Sequence, residues 1–386
     1  MLAVYFYGYF AKFLGYHLMK FVSSLCSFLA AAVIASLATS PLIASAQSPT
    51  GQVTIRFASF LPESAPQSKA VQAWADELKR RSNGRINFRF FFNSSLVSTA
   101  DMLPAVSQGR ADMAWIGAFI HPRELPLTTI TELPFTSTNP LAVQQALRLM
   151  YANYAPYRQE MAKAKVHLLW SPITGVNVIG STKPVNSIAD LRGLKVRGGA
   201  RLLSETFKSQ GAQVITMVAP EVYEGMKRGV IDAWTSSLME NMPSFGWHEV
   251  SPNVTDPRTG IFGLGLQVMN LDFYNKLSEE DKKLIDSTGD EAIKVALKFH
   301  VEEDKNACDK IAAVGGKVTV WSAAAADTWK TGLPDYRAAW IKEKAAMGLP
   351  AQELSDRYFE ELRKAEKEIA YEPGVEVCAK RFSARK

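Results

Sequence analysis

Histidine and cysteine are scarce in this chain, five and three among 386 residues. His121, His167, His248 and His300 are scattered, and neither Cys308 nor Cys378 has a partner at ligand spacing, which argues against a metal site. His300 and Glu303, one helical turn apart, resemble half of one, but a solvated helical face accounts for them. Catalytic signatures are missing as well. There is no His-Glu-x-x-His, no Gly-x-Ser-x-Gly, and Gly315-Gly316-Lys317 lacks both the spacing and the hydroxyl residue of a phosphate loop. Gly263-x-Gly265 lacks the third glycine of a dinucleotide fingerprint. No catalytic residue, metal or cofactor is expected. A basic stripe is also lacking. The densest cationic stretch, Lys79-Arg80-Arg81 with Arg85 nearby, sits at a helix end where the dipole favours cations, so nucleic acid is not an expected partner.

What is present begins with a stretch free of charge. Met19-Lys20 precedes an apolar run from Phe21 to Leu37, followed by Pro41 and Ala44-Ser45-Ala46. A positive start, an apolar middle and a small-x-small site are the parts of a secretory signal peptide, with cleavage after Ala46. A retained anchor is the alternative, since the uncharged run is almost long enough to span. Residues 1–46 are therefore read as a leader, with Met19 as the start, and Cys26 is not a lipidation site because Leu25 precedes it. The periplasm is the expected compartment. There, Cys308 and Cys378 can close a disulfide that pins the C-terminal tail to a long helix; two buried free thiols are the alternative. The formal net charge of +6 falls to about +4 once Lys12 and Lys20 leave with the leader, a balance that suits an anionic small ligand.

The remaining length exceeds what one core comfortably fills, so two domains are expected. Strand and helix patterns alternate throughout, as in an α/β protein with mainly parallel sheet. Strands are expected at 53–58, 86–92, 111–116, 166–170, 176–179, 194–197, 213–217, 230–234 and 261–269. Helices are expected at 64–83, 100–108, 141–163, 201–210 and 220–228, with a long charged one from Ser278 to Ala313 and a helical tail over 322–371. The strand pattern after 260 has the character of the first unit, so the chain crosses between lobes more than once. The division is 51–174 plus about 261–300 for lobe I, and 175–260 plus about 301–386 for lobe II.

The informative block runs from Ser187 to Thr255. It contains Ile188-Ala-Asp-Leu-Arg-Gly-Leu-Lys-Val-Arg197, then Gly211-Ala-Gln-Val, Pro220-Glu-Val-Tyr223 and Gly229-Val-Ile-Asp232-Ala. Upstream stand a helix containing Trp74, Ser82-Asn-Gly-Arg85-Ile, Gly109-Arg-Ala-Asp112-Met and Glu132-Leu-Pro-Phe135. In this order and spacing the motifs resemble the solute-binding (P) subunits of TRAP transporters, the DctP-like family, over essentially all of 51–320. The resemblance implies a two-lobed periplasmic binding protein fold, with a cleft between lobes and a long helix, here 278–313, bracing both.

It also implies function. The partners would be a small organic acid and the membrane permease subunits, and the protein is expected to be a monomer. Arg197, at the end of the motif strand, would grip a carboxylate bidentately, which the planar guanidinium suits. Many relatives keep a second arginine where this chain has Asn177, so a dicarboxylate is disfavoured and a monocarboxylate with an apolar or aromatic body is expected. Trp234 and Ser236 follow the last motif and are ligand candidates, as are Phe60, Trp115 and Gly117 at strand ends. Arg201 is a weaker second source of charge. Tyr223 and Asp232 read as structural. A sensor subunit presenting its ligand to a receptor kinase is the alternative within binding proteins, and a periplasmic enzyme acting on carboxylates the alternative outside them.

Overall fold

The computed structural model describes residues 51–172 and 174–384. The leader, with its signal peptide and Cys26, lies outside the described residues. Eleven strands follow in chain order: β1 (Val53–Ala58), β2 (Ile86–Phe91), β3 (Met113–Gly117), β4 (Val166–Trp170), β5 (Ile179–Ser181), β6 (Lys195–Gly198), β7 (Gln213–Thr216), β8 (Ala233–Trp234), β9 (Asn253–Asp256), β10 (Gly265–Asn270) and β11 (Lys317–Val320). They build two mixed sheets, β2-β1-β3-β10-β4 and β11-β9-β5-β8-β6-β7. The first four strands stay in one sheet, the next five in the other; β10 then returns to the first and β11 to the second. The chain therefore crosses three times, at 171–178, at 257–264 and through the helices that precede β11.

Local chemistry accounts for the elements that frame the crossings. The helix Pro66–Arg81 opens on proline at its first position, buries Val71, Trp74 and Leu78, and ends on Lys79, Arg80 and Arg81, complementing its dipole. Ser278 caps the helix Glu279–Ser287, its side chain accepting from the Asp281 N–H. The single helix expected over 278–313 is two, Glu279–Ser287 and Gly289–Ala313. The break falls at Thr288. Its hydroxyl donates back to the Leu284 carbonyl at 3.0 Å and accepts the Trp74 indole N–H at 2.9 Å, a tertiary contact that no helical periodicity reveals. The longer segment packs against the helix Pro66–Arg81 and β4 on one side and against β11 and residues 239–250 on the other, so it touches both lobes.

Other departures from the expectations have similar causes. The helix expected over 141–163 is split into Pro140–Asn153 and Ala155–Lys163, because Pro156 cannot supply an N–H to an uninterrupted helix. The strand expected at 176–179 lies at Ile179–Ser181, since Val176 to Val178 are crossing segment. No strand is expected at β9 or β11, because Asn253-Val-Thr-Asp256 and Lys317-Val-Thr-Val320 are short, with three and two polar residues of four. The tail is helical at Ala323–Thr331, Tyr336–Ala346, Ala351–Glu368 and Gly374–Ser383. Of these, Ala351–Glu368 packs against Pro140–Asn153, while Gly374–Ser383 lies on β11 and the long helix. Cys308 and Cys378 are joined there, with Cα atoms 5.7 Å apart. No described helix is long and apolar enough to cross a membrane.

Candidate functional site

Arg197 is the penultimate residue of β6, and its side chain is folded back under the strand ends of the second sheet. Nε donates to the Met217 carbonyl at 2.7 Å, and Nη1 donates to the carbonyls of Thr235 and Ser236 at 3.0 and 3.1 Å. These three acceptors orient the guanidinium without neutralising it. The residue is 5% exposed, and among the described residues it forms no ion pair and Nη2 finds no acceptor. Burial pulls its pKa down to about 10, against a smaller upward pull from Glu221, so it remains a cation at neutral pH. A buried cation without a counter-ion is costly, and an anion arriving in front of it removes that cost. Gly199 keeps the approach open: a Cβ there would lie 2.8 Å from Nη2.

The platform under Arg197 is itself held. Ser236 sits at φ 56°, a left-handed conformation uncommon for serine. Asn177 keeps it there, its Oδ1 accepting the Ser236 N–H at 2.8 Å and the Thr235 hydroxyl at 3.0 Å. The Asn177 amide N–H in turn donates to Thr259 Oγ1 at 2.9 Å, so one side chain ties two crossing segments to the arginine's acceptors.

In front of Arg197 lies a cavity of about 430 Å³ between the two sheets. Its wall is aromatic and aliphatic, with Phe60 edge-on to Trp115 at 5.0 Å and Phe119 tilted against Phe262 at 5.5 Å. Four of the eight sequence candidates line it: Arg197, Ser236, Phe60 and Trp115. The other four do not. Asn177 is fully buried behind the wall with its amide satisfied. Trp234 is core, lying over Gly180 and against Trp247, with its indole N–H donating to Ser251. Gly117 acts by absence, since a Cβ there would lie 2.4 Å from the Phe119 ring. Arg201 points away and pairs with Glu205 and Glu343.

Sequence reasoning missed Phe119, Phe245, Phe262, Gln67, Thr174 and Asn241, all of which line the cavity. The left-handed Gly263 beside Phe262 was the one available signal, read only as a failed nucleotide motif. A second cluster was misjudged. His300 is not on a solvated face but 1% exposed, 3.1 Å from Glu240 and 3.4 Å from Asp304, with Tyr371 OH at 2.9 Å. Burial by itself would lower its pKa, but Glu240 and Asp304 overcome this and lift it to about 9. Glu240 also accepts the Gly175 N–H at 3.2 Å, so the cluster joins the long helix to a crossing segment. Among the described residues no set of three His, Cys, Asp or Glu side chains converges as metal ligands.

Comparison with known proteins agrees with this architecture. A solute-binding protein of Albidiferax ferrireducens is 27% identical over 308 residues, 78% of this chain and 88% of its own length. The crystal structure of a TRAP solute-binding protein from Rhodoferax ferrireducens, with copurified benzoate, superposes with a TM-score of 0.74 at 22% identity, covering 83% of this chain and all of that one. A marine metagenome TRAP solute-binding protein specific for aromatic acid ligands, in complex with metahydroxyphenylacetate, gives a TM-score of 0.74 at 26% identity, covering 82% of this chain and all of that one. Residues 57–343 match the bacterial extracellular solute-binding protein family 7, DctP, and the chain therefore belongs to that family, the solute-binding proteins of TRAP transporters.

Proposed function

We propose that the protein captures an organic acid outside the cytoplasm by its carboxylate and delivers it to the permease subunits of a TRAP transporter. The observation that carries this reading is the buried, uncompensated Arg197 at the wall of an apolar cavity. A carboxylate accepting from Nη2 supplies both the missing acceptor and the missing charge. The aromatic wall and the absence of a second cation among the described lining residues favour a monocarboxylate with an aromatic body. The 26% identical aromatic-acid-binding relative supports the same class. Export through a signal peptide cleaved after Ala46 and a monomeric state belong to this proposal.

Ligand binding between lobes favours a closed form to the extent that the acid binds it better than the open one. A thermal-shift screen of benzoate, phenylacetate, aliphatic monocarboxylates and dicarboxylates tests the reading. At about 100 times the Kd, a ligand stabilises by roughly 2.7 kcal/mol. Aromatic monocarboxylates are expected to give the large shifts, and no shift with any carboxylate would overturn the proposal.

A further inference from the structure

Two glycines face each other on the strand ladder beside the cavity. Gly117 ends β3, Gly265 opens β10, and the two are direct partners in the antiparallel register. Neither backbone position requires glycine. Gly117 has φ −103° and ψ 125°, extended values that any residue adopts, and φ at Gly265 is not positive. Glycine inside a strand weakens it, and it often marks a place where another group approaches the backbone closely.

An aromatic ring makes that approach in each case. A Cβ on Gly117 would lie 2.4 Å from the Phe119 ring, and one on Gly265 would lie 2.3 Å from the Trp115 ring. Trp115, Gly117 and Gly265 share one face of the sheet, because side chains alternate along a strand and directly paired residues point the same way. Trp115 therefore leans diagonally across the ladder over Gly265, and Phe119 folds back over Gly117. Packing alone places the indole, since Trp115 Nε1 has no hydrogen-bond partner among the described residues. Both rings line the cavity, in contact with Phe60 and Phe262. At Gly180 the same device serves the core instead, because the Trp234 ring over it is fully buried and does not line the cavity.

Building on the carboxylate reading of Arg197, we propose that Gly117 and Gly265 set the size of acid that the cavity takes. With no side chain beneath them, the two rings lie against the backbone and leave the space in front of Arg197 to the body of the ligand. A methyl at either position has to restore a carbon–carbon separation of about 3.5–4.0 Å, so the ring over it moves by more than about 1 Å, away from the sheet and into the cavity. Bulky acids then lose room while compact ones keep theirs. The carboxylate grip is not displaced, because Arg197 stands on the other sheet.

The test is calorimetric titration of wild type, Gly117→Ala and Gly265→Ala with butyrate, benzoate and 2-naphthoate. In each alanine variant, the affinity for the largest acid relative to the smallest that binds wild type is expected to fall about tenfold or more. Trimming the matching ring should restore it: Phe119→Leu rescues Gly117→Ala but not Gly265→Ala, and Trp115→Leu does the reverse. If only one acid binds wild type, its loss in the alanine variants and the matched rescue are read instead. Circular dichroism checks folding. Should an alanine variant not fold, Phe119→Leu and Trp115→Leu on the native glycines carry the test, with the ratio moving toward the larger acid. An unmoved ratio, equal losses for all acids, or rescue that ignores which ring is trimmed overturns the inference and leaves the carboxylate reading standing. Absence of Arg197-dependent binding by any of these acids overturns the carboxylate reading, and this inference with it.

Discussion

Asn177 and Ser236 are joined by a 2.8 Å hydrogen bond from the serine N–H to the asparagine Oδ1, and the carbonyl of the same serine receives Arg197 Nη1 at 3.1 Å. Asn177 thus serves Arg197 from behind, through the strained serine. Asn177→Leu removes the acceptor for two buried donors and is expected to cost about 1–3 kcal/mol of stability. Ligand affinity should fall with it, although Asn177 does not line the cavity. Urea unfolding alongside calorimetry checks both.

Arg197→Met is expected to abolish carboxylate binding while the fold persists. Losing a buried charge-assisted pair costs commonly about 2–5 kcal/mol, or roughly 30- to 5,000-fold in affinity. The ligand-free variant loses a buried cation that has no counter-ion in the described structure, but leaves the carbonyls of Met217, Thr235 and Ser236 without their donor. The two effects oppose, so its melting temperature should stay within a few degrees of wild type. Near-wild-type affinity would remove Arg197 from the site.

Reducing the Cys308–Cys378 bridge, or replacing both residues by serine, should destabilise the protein by about 2–4 kcal/mol. The bridge links residues 70 apart and lies among Val301, Asp304, Tyr371 and Val377, none of which lines the large cavity. Affinity for a bound acid should therefore change little. Denaturant midpoints with and without reductant, measured beside ligand titrations, separate the two effects.

Stability should depend on pH through His300. Its pKa in the folded protein, about 9, lies above the ordinary value of 6.5, so the folded state holds the proton more tightly. That stabilisation is fully present below about pH 6.5 and is lost as pH rises through 9. Asp304, raised by burial against the pull of His300, acts in the same sense at lower pH, since a raised carboxyl also favours the protonated fold. Glu240 and Tyr371 face His300 from the other packed segments. His300→Gln should flatten the decline in unfolding free energy between pH 6.5 and 9, and an unchanged slope would assign it to other groups.

Much of the fold was legible because its signals are local. The apolar spacing of Val71, Trp74 and Leu78, the cap at Ser278 and the Gly-terminated helices each express a short-range preference that survives in the folded chain. Arg197 was found through the motif strand that ends on it. Trp234 and Asn177 were misplaced because a strand pattern says where a side chain projects, not what packs upon it. Trp234 is taken up by the gap over Gly180, and Asn177 by donors more than fifty residues away in sequence. Phe119, Gln67, Thr174 and Asn241 carry no motif at all.

The sequence by itself determined a chain of alternating strands and helices with one well-marked arginine, since helix periods, caps and turn glycines act over a few residues. Only the tertiary structure decided what surrounds that arginine. Carbonyls of Met217, Thr235 and Ser236 hold it, burial strips it of water, and Phe60, Trp115, Phe119 and Phe262 wall the cavity in front of it. Those properties depend on long-range packing and desolvation, which no spacing along the chain encodes.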